Sequence, residues 1–222
     1  MLGVVGSDAT RAPDAPAASP TTTTSWIVLD DAALMAPPAP VEGCQEALRE
    51  AGVRAEPVRM TPHPNPSNTI MCGTAQAVRF KRGPGKIRWS RAPKVSCRLG
   101  LALAQFEVLV QEEAARLFGD RVYAARHVGT YNCREMAAYD GWISEHSYAN
   151  AIDVVSFTLA KGTEISVRRH YFEDSPRGAF LRAVARRAYE EDVFSVVLTP
   201  AFDAHHRGHL HFDMAHYRAG EY

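Results

Sequence analysis

The chain has 222 residues, 46% of them hydrophobic and 23% charged, and its 25 Lys+Arg balance its 25 Asp+Glu. That is the composition of a globular protein long enough to close a core without help from disulfides or metals. With no basic excess it excludes a general nucleic-acid binder, and no apolar run approaches the roughly 20 residues of a membrane span.

In chain order, residues 1–40 read as a low-complexity leader. Ala, Pro and Asp dominate as far as the run Thr21–Thr24, and Ala36-Pro37-Pro38-Ala39-Pro40 closes the segment. Residues 1–25 have almost nothing to bury against the entropy of ordering. Leu2–Val5 is too short for the apolar core of a signal peptide, and no basic residues precede it. A single folded domain over 41–222 opens with a short helix from Cys44 to Ala51, ended by Gly52. Residues 53–96, rich in Pro, Gly and Arg, predict short strands joined by turns. Leu99, Leu103, Phe106, Val110, Ala114 and Leu117 recur at spacings of three and four, so a helix runs through them to a stop at Gly119.

Val122–Val128 predicts a strand, and Ala151–Leu159 a second, longer one. Lys161-Gly162 turns the chain, and Glu164–Arg168 returns as a partner strand. Ser175-Pro176 is a helix start, with a capping hydroxyl followed by proline at the first helical position. Phe180, Leu181, Val184, Ala188 and Tyr189 mark the buried face of that helix. Val193–Leu198 reads as a buried strand and His209–Met214 as the last one. Strands and helices mix without regular alternation, which predicts an α+β fold with a small, mainly antiparallel sheet flanked by helices.

Cys44, Cys72, Cys97 and Cys133 contain no C-x-x-C pair, so a zinc ribbon or a thioredoxin-like motif is excluded. An even number of spread cysteines fits two disulfides in an exported protein; four buried thiols in a cytosolic protein is the other reading. Of the three pairings, the sequential one, 44–72 with 97–133, closes the shorter loops and is the one expected.

Five of the nine His lie between 205 and 216. On a strand, His209, His211 and Asp213 share one face while Leu210, Phe212 and Met214 share the other. The apolar trio can anchor the strand and leave the polar trio to line a site. Taken alone, H-x-H is a weak signal, and the plainer reading is a polar strand face with ordinary, half-exposed histidines. A second element, Ser144-Glu145-His146-Ser147-Tyr148-Ala149-Asn150-Ala151-Ile152-Asp153, puts six residues between His146 and Asp153. Fully extended they would stand about 23 Å apart, so both reach one metal only if the chain doubles back, which the small residues Ser147, Ala149 and Ala151 suit. Two imidazoles and a carboxylate are three ligands, the pattern of a catalytic rather than a structural zinc site, and the hard carboxylate argues against copper(I) or iron–sulfur.

H-x(6)-D followed by a distant H-x-H resembles the zinc signature of the lysostaphin, D-Ala-D-Ala metallopeptidase and sonic hedgehog group. More closely, Gly129–Arg134, Ser144–Asp153 and His206–Asp213 look like the extensin-like C-terminal domain family over roughly 41–222. The resemblance implies one Zn2+ per chain held by His146, Asp153 and His211, with His209 beside it and His206 upstream as the groups that take a proton and stabilise developing charge. Beside the resemblance, Arg134 reads either as a planar fork for a substrate carboxylate or as a surface or fold-stabilising ion pair, Ser144, Glu145 and Asn150 as groups that orient the ligands, and Asp213 as another such group or a plain surface salt bridge. Where many extensin-like relatives carry Asp between the two upstream histidines, this chain has Gly208, which leaves His209 or His206 as the base. The implied activity is a zinc peptidase or carboxypeptidase acting on bacterial cell-wall peptides in the periplasm or outside the cell. A catalytically silent zinc-containing cell-wall or protein binding module is the alternative, and a metal-free domain with incidental histidines a third.

Overall fold

The computed structural model describes residues 36–137, 139 and 141–221; the expected leader lies outside the described residues except for 36–40. Helix α1 (Cys44–Glu50) precedes six short strands, β1 (Arg54–Val58), β2 (His63–Pro64), β3 (Met71–Cys72), β4 (Ala77–Arg82), β5 (Arg88–Trp89) and β6 (Lys94–Ser96). The long helix α2 (Cys97–Phe118) and strand β7 (Val122–Gly129) follow. A 3-10 turn (Glu145–Tyr148) leads into β8 (Ala151–Leu159), β9 (Glu164–Ser166), α3 (Val167–His170), α4 (Pro176–Glu190), β10 (Val196–Leu198), β11 (Leu210–Asp213) and β12 (Ala219–Glu221).

The fold is α+β, as expected. The main sheet has seven strands in the order β12-β10-β11-β8-β7-β5, with β9 paired to β8, and β1-β4-β6 and β2-β3 form two smaller sheets. Pairing is antiparallel except for β5 with β7 and β10 with β12. Helix α2 starts where the Ser96 hydroxyl accepts the Leu99 N–H at 3.1 Å, and it ends where Gly119 takes φ 55°, a left-handed conformation that costs glycine little. Ser175 caps α4 in the same way, accepting from Gly178 N at 3.3 Å, with Pro176 at the helix start. Phe106 of α2 meets Phe212 of β11 at 4.9 Å between ring centroids and Phe194 at 5.5 Å, and Phe157 of β8 lies 6.4 Å away. All four rings are buried. This aromatic layer fixes which face of β8 and β11 looks inward, and so which face remains for chemistry.

Four expectations change. The segment Glu164–Arg168 is a strand only to Ser166, because α3 begins at Val167 and the His170 ring accepts the Ser166 N–H at 2.9 Å. The buried run Val193–Leu198 pairs as a strand only from Val196, since the amides of Val193 and Phe194 both turn back to Ala188 O. β11 is not the last strand, for β12 adds parallel to β10. The disulfides are also not sequential: all four cysteines are bridged, but as Cys44–Cys97 and Cys72–Cys133. Loop-closure entropy grows only logarithmically with length, so packing decides the pairing. Helix α1 lies on the head of α2, and the Gly73 amide after β3 bonds Ser147 O at 2.8 Å, which brings Cys72 beside the loop that carries Cys133.

One buried carboxyl has a stability consequence. Glu107 lies inside α2 against the Gly83–Gly85 turn and accepts the Trp89 indole N–H at 2.9 Å. Burial outweighs that bond and pushes the acid up from 4.5 to about 7. In the unfolded chain it ionises first, so folding stability is full below about pH 4.5 and falls as pH rises toward 7, by on the order of 3 kcal/mol at most. Urea unfolding across that window should show this slope in the parent protein and its loss in Glu107→Gln. Peptide mapping without reduction should recover the 44–97 and 72–133 bridges; recovery of 44–72 would overturn the packing explanation.

Candidate metal centre and its histidine rim

The site is built on one doubled-back turn. After Ser144 the chain makes a single 3-10 turn, and Ala149, at φ 53°, reverses it into β8. A residue with a Cβ adopts this conformation at a cost of about 1–2 kcal/mol, and here three hydrogen bonds hold it. Ala149 N donates to His146 O at 3.2 Å, Asn150 N to Glu145 O at 3.0 Å, and the Ser96 amide to Ala149 O at 2.7 Å. Ala149 is fully buried, which explains the small residue.

The turn lays His146 over the start of β8, and the sheet register does the rest. His211 of β11 lies directly opposite Asp153 of β8, and Gly129 of β7 lies opposite it on the other side. A Cβ on Gly129 would stand 3.7 Å from Asp153 Oδ2, so this flank of the carboxylate carries no side chain of β7. Ile152, Val154, Leu210 and Phe212 alternate into the core on the opposite face. His146 Nε2 stands 3.3 Å from Asp153 Oδ2, His211 Nδ1 3.0 Å from Oδ1, and His209 Nε2 3.4 Å from Oδ1. One donor atom from each of His146, Asp153 and His211 falls within 4.8 Å of the others, the one such group among the described residues.

The surroundings fit a cation. His211 donates from both ring nitrogens in the metal-free chain, Nε2 to Asp213 Oδ2 at 2.8 Å and Nδ1 to Asp153 Oδ1 at 3.0 Å; because Asp213 keeps the hydrogen on Nε2, Nδ1 is the nitrogen that would turn to a cation. Burial opposes charge on His211, yet Asp153 and Asp213 outweigh it and raise the imidazole to about 10. Burial would likewise raise Asp153, but the bonds from His146 and His211 hold it well below the usual carboxylate range. In the metal-free chain a proton thus supplies the positive charge that a divalent cation would bring. The donor set, two imidazoles and a carboxylate, is one that zinc accepts.

The expected supporting residues divide. Asn150 donates to Glu145 Oε2 at 2.6 Å and to Met214 O at 3.1 Å, and its carbonyl accepts from Ser96 Oγ at 2.6 Å. Burial, with Asp213 close by, pushes Glu145 up to about 8, so it is a neutral acid near neutrality and the pocket avoids a second bare charge. Ser144 acts through its backbone, donating to Arg134 O at 3.3 Å and accepting from Ser147 N at 2.8 Å. Arg134 braces the turn from behind: its amide donates to Ser147 Oγ at 3.0 Å, and that hydroxyl donates back to Arg134 O at 2.8 Å. Its guanidinium donates to Glu135 O at 3.1 Å. His127, off this cluster, bonds Arg91 O at 3.0 Å.

His206 and His209 form the rim, with ring centroids 5.1 Å apart and His206 5.8 Å from His211. The sequence reading did not single out Asp203. Its Oδ1 accepts both the His206 ring Nδ1 at 2.7 Å and the His206 amide at 2.9 Å. The signal was an Asp three residues before a His, a side-chain-closed turn. Ser96 was also missed as part of the site; its distance in sequence hid it. Asn150→Ala strips partners from Ser96, Glu145 and Met214 together. At about 1–3 kcal/mol for each buried group left unpaired, the variant should unfold several degrees lower in thermal denaturation, and a melting curve equal to the parent's would contradict this role.

A family model described as "Extensin-like protein C-terminus" matches residues 42–222. No curated protein and no solved structure matches the chain.

Proposed function

The chain belongs to the family of extensin-like protein C-termini, and from that premise we propose that it is a zinc-dependent peptidase acting on bacterial cell-wall peptides. The observation that carries the proposal is the convergence of His146, Asp153 and His211 within 4.8 Å beneath a rim of two further histidines. A structural zinc site would use four protein ligands, whereas three is the count of catalytic sites.

His146, through Nε2, Asp153 and His211, through Nδ1, would hold one Zn2+ per chain. Zinc there supplies Lewis acidity toward a peptide carbonyl and brings the pKa of water down toward about 7. The chain's own groups do the rest. Asp213 keeps His211 in the ligating tautomer, and Asn150 anchors the turn that aims His146. His209 and His206 lie where an attacking water's proton would be taken; burial lowers both imidazoles, which keeps them neutral and able to accept it. Arg134 is assigned the substrate carboxylate, for which its guanidinium would leave the Glu135 carbonyl. Two disulfides suit an oxidising compartment, and no helix among the described residues is long and apolar enough to cross a membrane. Both agree with a site of action in the periplasm or outside the cell, where such a substrate is met.

Gly208 favours the second reading, a catalytically silent zinc-containing cell-wall or protein binding module, because it contributes no carboxylate to the rim. The test is elemental analysis of the purified protein together with mass spectrometry of muropeptides incubated with it. About one zinc per chain, lost in His146→Ala and Asp153→Ala, with cleavage lost in His209→Ala, is the expected result. One zinc with no cleavage across a broad muropeptide panel selects the binding module, and zinc unchanged in the two ligand variants refutes the site.

A further inference from the structure

His206 is the more tightly held of the two rim histidines. Asp203 Oδ1 takes both its ring Nδ1 and its amide, and the Phe202 ring packs edge-on against it at 5.6 Å between centroids. His206 is mostly buried, with 16% of its side chain exposed. By contrast, the His209 ring faces Asp153, itself a member of the donor cluster, with Nε2 3.4 Å from Oδ1. The two rim imidazoles therefore differ in kind: one is tied to a carboxylate outside the cluster, the other leans on a carboxylate inside it.

We propose that Asp203 is a positioning residue: it fixes the orientation of His206 and holds it as the Nδ1–H tautomer, so that Nε2 is the proton-accepting atom of the site. An ionised carboxylate is an acceptor only, so the nitrogen facing it carries the hydrogen and the other nitrogen keeps the lone pair. The second bond, from the His206 amide to the same Oδ1, locks the carboxylate against rotation, so ring and backbone turn as one unit. This rests on the peptidase reading for its purpose. In that reaction a water O–H proton passes to His206 Nε2 as the C–O bond forms; Asp203 remains ionised beside the imidazolium; the same proton then goes to the amine nitrogen as the C–N bond breaks. The unit supplies from the 203–206 turn what Gly208 does not supply from its own position. A Cβ on Gly208 meets nothing within 4 Å, so no neighbouring group has closed over that place.

The test pairs a spectrum with kinetics on the zinc-loaded full chain. Histidine 15N spectra, with His206→Gln to assign the ring, should show His206 as the Nδ1–H form in the parent and its loss in Asp203→Ala; an Nε2–H form in the parent overturns the proposal. With a muropeptide substrate, Asp203→Asn should lower kcat by about 10²–10³-fold at unchanged KM and unchanged zinc content. Asp203→Glu should recover part of the loss, and Asp203→Asn should add no further loss to His206→Ala. A parent-like kcat in Asp203→Asn, or a fully active His206→Ala, overturns it. A parent protein that cleaves nothing removes the peptidase reading instead, and the spectrum alone then decides the role of Asp203.

Discussion

The side chain of Asn150 ties together the parts that make the site. Its amide nitrogen reaches Glu145 at the start of the turn carrying His146 and Met214 just after β11, and its oxygen takes the hydroxyl of Ser96. Ser96 is also the cap of α2. One residue thus connects the long helix, the turn carrying His146 and the strand carrying His211. Because donors and acceptor are all used in a buried setting, an alternative placement of the turn would strand several polar groups at once. The left-handed Ala149 beside it is affordable for that reason.

The strands contribute by alternation. Along β11 and the first half of β8 alternate side chains (Leu210 and Phe212, Ile152 and Val154) enter the core and the intervening ones meet across the sheet, His211 against Asp153; the register shift at Arg126–His127 then brings Phe157 and Leu159 inward. A one-residue slip would move the histidine into the core and Phe212 into the site. The hydrophobic layer and the donor cluster therefore enforce the same register, and neither can be changed alone. The two disulfides act at a different level. One fixes α1 to the head of α2; the other fixes β3 to the loop before the His146 turn, alongside the Gly73–Ser147 backbone bond. Both brace the rear of the turn.

Features set by local pattern were legible in the sequence. The spacing from Leu99 to Leu117 gave α2, the β-branched run gave β8 to its ends, and Ser175-Pro176 gave the start of α4. The approach of His146 to Asp153 was legible because H-x(6)-D needs a reversal and the small residues between supply one, and the polar face of His209, His211 and Asp213 because its alternate residues are apolar; the choice of His211 over His209 came from the family resemblance. What failed depends on distance in sequence. Cysteine pairing follows from which elements pack, not from loop length. β12 is a short Ala-Gly-Glu segment with no strand character and exists because β10 offers a place for it. Val167 begins a helix against its β-branched preference because the His170 ring caps the preceding amide. Asp203 and Ser96 are ordinary polar residues until the fold brings His206 and Asn150 to them.

The main sheet ends on β5, with two residues, at one edge and β12, with three, at the other, and both lie parallel to their neighbours. Edges this short leave few free amides and carbonyls on which a foreign strand can template itself, and Arg88 and Glu221 put charge there. Lengthening the sheet at β5 or β12, the route many peptide-binding domains take, would offer an extended peptide few backbone bonds. On the proposed peptidase reading, recognition of a peptide would then rest on side chains above the β8–β11 face, which select by shape and charge, rather than on its backbone alone.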